Sequence, residues 1–186
     1  MKKIFKKGQI FTIPNILSFL RILMIPVIVW LYGEKQNYLA STAMIILSGL
    51  TDVADGIIAR KWNMVSDLGK ILDPIADKLT QAALIYCLVS KYDWMFPLLI
   101  LFAVKEIIMG ISGLVVIRKT DMVNSAQWFG KLATVVLYAV MSILFLFPGT
   151  PEAMANLMIL ACAATILLSL VKYLLFYQKL LSERKE

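Results

Sequence analysis

The sequence contains no histidine, only two cysteines, and charge on just 17% of its 186 residues. Without imidazole there is no His-based triad, no His-ligated zinc and no His proton shuttle. Cys87 and Cys162 both lie inside apolar runs and read as buried small hydrophobes rather than a bridge or a metal site. Water-soluble domains carry about 25% charged and roughly 45–50% apolar residues. This chain is 60% hydrophobic, with a mean hydropathy of +0.80. A soluble fold of this length hides about 70% of its unfolded surface at best. The surplus excludes a disordered chain, a disulfide-stapled secreted domain and a water-soluble enzyme.

What the chain does have is apolar segments of bilayer length. One helical crossing takes about 20 apolar residues, so six take about 120, close to the roughly 112 present. The pattern predicts spans at about 13–32, 38–60, 70–90, 94–117, 127–148 and 154–177. Turn-forming stretches separate them, including Gly33-Glu34-Lys35-Gln36-Asn37, Lys91-Tyr92-Asp93 and Pro148-Gly149-Thr150-Pro151. No linker or internal repeat interrupts residues 1–186, which read as one domain. The expected fold is all-α and integral to the membrane: a six-transmembrane-helix bundle preceded by a short interfacial segment, residues 1–12.

Basic residues set the orientation. With the N-terminus inside, Lys2, Lys3, Lys6, Lys7, Arg60, Lys61, Arg118, Lys119, Lys179, Arg184 and Lys185 fall on the cytoplasmic side. Only Lys35 and Lys91 occupy loops on the other side. A multi-pass protein of the cytoplasmic membrane is expected, with no nucleic-acid partner. Pro14-Asn15, Ser18, Arg21 and Pro26 interrupt the first apolar run and argue against a cleavable signal peptide. Trp30, Tyr32, Tyr38, Trp94, Tyr173 and Tyr177 fall near span ends and are expected to form interfacial belts.

Acidic residues are few and unevenly placed. Five of the twelve lie between residues 52 and 77: Asp52, Asp55, Asp67, Asp73 and Asp77. Asp52 and Asp55 are spaced i,i+3, with Ala59 on the same face. Gly69, Asp73 and Asp77 are spaced i,i+4,i+8. Each series makes one stripe on a helix, and the short connection 61–68 makes the helices antiparallel neighbours. Asp67 sits off both stripes.

A lone acid near a helix end is ordinarily solvated or capping. Four in register within membrane segments are expensive, and they cannot all ionise close together unless cations lie between them. Oxygen-only ligation points to hard divalent ions, Mg²⁺ or Mn²⁺. Two ions about 3.5–4 Å apart could grip a pyrophosphate and assist displacement at phosphorus. Gly56 and Gly69, lacking Cβ atoms, would let a ligand or a neighbouring backbone approach.

The run Asp52-Val53-Ala54-Asp55-Gly56-Ile57-Ile58-Ala59-Arg60, followed after eight residues by Gly69-Lys70-Ile71-Leu72-Asp73-Pro74-Ile75-Ala76-Asp77, resembles the signature of the CDP-alcohol phosphotransferase family. Every fixed position of that signature is present. The resemblance implies CDP-diacylglycerol and an alcohol as substrates, with a new phosphodiester and CMP as products. It implies that Asp52, Asp55, Asp73 and Asp77 hold two divalent cations and that Asp77 also takes the acceptor's proton. It further implies that Gly56, Ala59, Arg60 and Gly69 form the site for the cytidine diphosphate. For Arg60, a snorkelling base at a helix end is the rival reading. A homodimer is the family's usual state.

The acceptor is read from basic residues inside spans, which are costly and tend to face a cavity. Lys105, Arg118 and Lys131 are the candidates for an acidic acceptor. The segment with Lys105-Glu106, Gly110, Gly113 and Arg118, then Gly130-Lys131 and Thr134, resembles bacterial phosphatidylglycerophosphate synthases, as does Pro14-Asn15 through Arg21. That branch uses glycerol 3-phosphate. The chain departs from it at Lys105, where Arg is usual, and at Ala133, where Lys is usual. Phosphatidylglycerol, as in a cardiolipin synthase, and an inositol phosphate are alternative acceptors. Lys105 and Glu106 could instead neutralise partners on neighbouring helices. Gly110 and Gly113 could serve helix packing, and Arg21, Asn15 and Ser18 could be structural; Lys78 is left unassigned. A divalent-cation transporter is the alternative from another class, but transport sites usually lie at the midplane between broken helices, whereas these acids cluster toward one face.

Overall fold

The computed structural model describes residues 12–62, 66, 68–120 and 127–182. Among the described residues there are six α-helices and no strand: α1 (Ile13–Gly33), α2 (Tyr38–Lys61), α3 (Gly69–Val89), α4 (Met95–Thr120), α5 (Trp128–Leu146) and α6 (Glu152–Ser182). The expected all-helical membrane architecture is therefore what the chain adopts. Five helices contain stretches long and apolar enough to cross a bilayer: Ile13–Gly33, Tyr38–Ile58, Met95–Gly113, Trp128–Leu146 and Glu152–Gln178. The remaining helix, α3, has 21 residues and rises about 31 Å, but Lys70, Asp73, Asp77 and Lys78 dilute its apolar character. At 31 residues, α6 is about 46 Å long and extends past its apolar stretch. The N-terminal segment expected at the interface lies outside the described residues, apart from Thr12.

The helices form two compact units, one of residues 1–87 with 142–148 and the other of residues 88–141 with 149–186. In the first unit α1 packs against α2. The buried face of α1 runs from Pro14, Asn15, Ser18 and Arg21 to Met24, Ile28 and Tyr32. Its outer face presents Ile16, Phe19, Leu20, Leu23 and Val27. Polar groups inside and apolar groups outside reverse the arrangement of a soluble helix, as a lipid solvent demands. On α2, the fully buried Ser41 and Ser48 are small enough to let helix backbones approach closely. Asn37 caps α2, its Oδ1 accepting from the Ala40 N–H at 3.0 Å.

In the second unit α4 packs against α6. The start of α5 is capped from α6, the Gln127 N–H donating to the Tyr173 hydroxyl at 3.1 Å. Tyr173 also stacks edge-on against Phe129, with ring centroids 4.5 Å apart. A Cβ at Gly130 would stand 2.6 Å from the Tyr173 hydroxyl, so glycine at that position makes room for the ring. Tyr32 and Tyr173 thus differ from the expected interfacial belt. Both are buried because each has an aromatic partner, Phe145 in the case of Tyr32. Trp30 and Trp94 do remain exposed. Cys162 is buried, Cys87 half-buried, and both are free thiols.

Candidate metal centre and active site

Helical spacing puts Asp52 and Asp55 on one face of α2, and α3 brings Asp73 to them. One carboxylate oxygen from each of the three lies within 4.8 Å of the others. That is near enough for the three to share an ion, which would draw their oxygens closer still. The donor set is all carboxylate, which suits a hard divalent cation.

Arg21 on α1 reaches the middle of this cluster. Its Nη1 lies 2.7 Å from Asp52 Oδ1 and 3.2 Å from Asp73 Oδ1, and its Nη2 lies 2.6 Å from Asp55 Oδ2. A planar guanidinium is the one protein cation shaped to fork across several carboxylates. The side chains of Arg21 and Asp55 are 1% and 4% exposed, whereas Asp52 and Asp73 keep 44% and 45% of theirs accessible. The site therefore has a buried, paired floor and an open acidic rim. Three carboxylates against one guanidinium leave two negative charges, which matches one divalent ion. Ser18 reinforces the floor, donating to the Pro14 carbonyl at 3.0 Å with its hydroxyl 3.4 Å from Asp55 Oδ2.

Asp77 lies one turn beyond Asp73 on α3. Its carboxylate accepts from Gln81 Nε2 at 3.0 and 2.9 Å, and Lys78 Nζ lies 3.5 Å away.

Gly69 opens α3 against α1. Its N–H donates to Ser66 Oγ at 2.9 Å, and that hydroxyl donates to Asn15 Oδ1 at 2.9 Å. A Cβ at Gly69 would stand 2.5 Å from Asn15 Oδ1 and 3.0 Å from Ser66 Oγ. The groups that approach Gly69 closely here are the side chains of Asn15 and Ser66.

The other expected site residues are dispersed along the chain. Gly56 is half-buried beside Asp55 on α2, and Ala59 and Arg60 belong to its last turn, their side chains outside the described residues. On α4, Lys105 is 8% exposed and its Nζ lies 2.5 Å from Glu106 Oε1. Arg118 lies near the end of α4, its side chain also outside the described residues, and Lys131 is exposed in the first turn of α5. An added Cβ at Gly110 meets nothing within 4 Å among the described residues, and one at Gly113 would touch the Tyr177 hydroxyl at 3.7 Å.

Sequence reasoning left Arg21 between a structural and a functional role and passed over Gln81 and Ser66. The signal for the first was a cation inside a predicted span. For the second it was an amide one helical turn from an acid. Ser66 lies in a connection, where periodicity says nothing.

Comparison with known proteins bears on the same residues. A 137-residue stretch is 34% identical to a CDP-diacylglycerol–glycerol-3-phosphate 3-phosphatidyltransferase of Rickettsia bellii, covering 72% of this chain and 75% of that protein. A 172-residue stretch is 33% identical to a probable phosphatidylglycerophosphate synthase of Mycobacterium tuberculosis, covering 89% and 79%. A shorter stretch of 76 residues is 42% identical to a CMP-forming cardiolipin synthase of Streptomyces coelicolor, covering 38% of this chain and 35% of that one. The chain thus matches about a third of the cardiolipin synthase and three quarters or more of the other two. The family profile for CDP-alcohol phosphatidyltransferase spans residues 11–170, a range that contains both carboxylate stripes and Arg21. With that match over most of its length and three of the signature's acids gathered at one point in the fold, the chain belongs to the CDP-alcohol phosphatidyltransferase family.

Proposed function

We propose that the protein transfers the phosphatidyl group of CDP-diacylglycerol to glycerol 3-phosphate, giving phosphatidylglycerophosphate and CMP. The observation that carries this reading is the convergence of Asp52, Asp55 and Asp73 within 4.8 Å, on the positions where the family signature requires acids. The names of the Rickettsia and Mycobacterium relatives support the acceptor.

In this reading Asp52, Asp55, Asp73 and Asp77 hold two divalent cations, Mg²⁺ or Mn²⁺. Those ions, when bound, supply positive charge to the diphosphate and to the leaving CMP. The acceptor hydroxyl attacks the β-phosphorus, a new P–O bond forms, and the bond to the α-phosphate oxygen breaks with its electron pair leaving on CMP. Asp77 takes the hydroxyl proton, since without histidine a carboxylate is the available base. Gly56, Ala59, Arg60 and Gly69 bind the cytidine diphosphate, and Arg60 steadies charge on the departing phosphate. Lys105, Arg118 and Lys131 meet the acceptor's phosphate. Asp52 and Asp73, on the open rim, are the ligands a diphosphate reaches first, while Arg21 and Asp55 hold the rim in place from below. The protein works as a homodimer in the cytoplasmic membrane, with this site facing the cytoplasm.

The local likeness to a cardiolipin synthase favours phosphatidylglycerol as the second candidate acceptor. A competition assay decides between them. Purified protein with Mg²⁺ and CDP-diacylglycerol is offered glycerol 3-phosphate, phosphatidylglycerol and inositol phosphate together. The expected result is acceptor-dependent CMP release with phosphatidylglycerophosphate as the main product. Cardiolipin as the main product would replace the acceptor, and ion flux without CMP would overturn the reading altogether.

A further inference from the structure

Gln81 is buried to 1% exposure within α3. An amide in that position loses its hydration, so it is tolerated only where its polar atoms find partners. Leucine or methionine would fill the space at no such cost. Long helical side chains lean back toward the N-terminus, which brings the Gln81 amide over the preceding turn and onto Asp77. The nitrogen stands 3.0 Å from Asp77 Oδ1 and 2.9 Å from Oδ2, equidistant between the two oxygens. Gln81 Oε1 in turn lies 3.5 Å from Lys78 Nζ.

The contrast with the neighbouring acids is chemical. Asp52, Asp55 and Asp73 share a guanidinium that offsets their charge. Asp77 is oriented instead by a neutral donor, which fixes the plane of the carboxylate without adding a positive charge of its own. A carboxylate has about four lone-pair sites. One amide group bridging both oxygens engages one on each. Lys78 Nζ, 3.5 Å from Asp77 Oδ2, belongs to a side chain one-third exposed, where solvent weakens its pull.

We propose that Gln81 is the positioning residue of the base, locking the Asp77 carboxylate at the angle from which it meets the acceptor hydroxyl. This rests on the reading of Asp77 as the base given above. A misplacement of about 1 Å in a reacting group costs on the order of 100-fold in rate, and a rotating carboxylate sweeps its oxygens through more than that.

The test is steady-state kinetics on full-length Gln81→Met, which keeps the side chain's length and deletes the donor. The expected result is a kcat lower by about 10- to 100-fold, with KM for both substrates within about twofold of the parent. A glycerol 3-phosphate analogue whose attacked hydroxyl is acidified by a neighbouring fluorine depends less on the base, so the variant's deficit shrinks with it. An undiminished deficit, or KM values for both substrates that move with kcat, means a general packing defect and overturns the proposal. Gln81→Asn retains an amide but retracts it by one methylene, and it carries the same expectations if the methionine variant does not fold. Asp77→Asn, measured alongside, separates the two claims. Turnover surviving in Asp77→Asn removes the base assignment and this proposal with it. An inactive Asp77→Asn beside a Gln81→Met with the parent's kcat removes only the positioning role.

Discussion

Arg21 on α1 and Asp55 on α2, 34 residues apart, close a 2.6 Å ion pair with both side chains withdrawn from solvent. Taking away one partner of such a buried pair leaves an uncompensated charge, at a cost on the order of 3–5 kcal/mol. Arg21→Met is therefore expected to unfold well below the parent's temperature in detergent with EDTA. Saturating Mg²⁺ should then raise its melting temperature by more than it raises the parent's, because the ion supplies the missing positive charge. Arg21→Lys should fall between them, since an ammonium cannot fork across three acids. If Arg21→Met melts with the parent in EDTA, the pair does not hold these helices together.

Asp73 and Asp67 allow a comparison between two acids six residues apart. Asp73 stands in the cluster on α3, whereas Asp67 lies off both stripes. Asp73→Asn should lower turnover by at least about 100-fold, the scale of losing several kcal/mol of transition-state charge stabilisation. Asp67→Asn should keep most of it. Equal losses in the CMP-release assay would contradict the assignment of the cluster.

Gly69 and Asn15 should behave as a coupled pair. The 2.5 Å approach that a Cβ would make to Asn15 Oδ1 is an overpacking expected to cost about 1–3 kcal/mol in Gly69→Ala. Because the tightest approach is to that amide, with Ser66 Oγ next at 3.0 Å, Asn15→Ala in the same chain should recover most of the lost stability. Thermal unfolding of the two single variants and the double variant measures the coupling. Strict additivity would mean that the glycine serves something other than this contact.

Lys131 tests the acceptor reading. In Lys131→Ala, KM for glycerol 3-phosphate should rise by about 10-fold, roughly 1.4 kcal/mol, with little change in KM for CDP-diacylglycerol. An unchanged acceptor KM would remove Lys131 from that site.

Helix type was legible in this sequence because a bilayer demands about 20 apolar residues per crossing and five of the six helices supply them. The sixth, α3, was legible as a helix but not as an apolar one, since it carries Asp73 and Asp77. Asp52, Asp55 and Asp73 could be brought together on paper because α-helical spacing fixes which residues share a face and a short connection fixes which helices are neighbours.

Burial and pairing across helices were decided only in three dimensions. Tyr32 and Tyr173 carry the same amphipathic ring as an interfacial residue, and the nearby Phe145 and Phe129 turn them inward. Arg21 belongs to a helix that the linear motif does not contain, so no spacing rule could connect it to Asp52, Asp55 and Asp73. Periodicity operates within a helix, whereas the contact between Arg21 and the acids depends on the rotation of α1 about its own axis, which packing sets. The chain's covalent order thus determined an all-helical membrane protein with two stripes of acid. Its folding determined that three of those acids share a buried arginine, because only packed helices can choose a charge's partner on another helix.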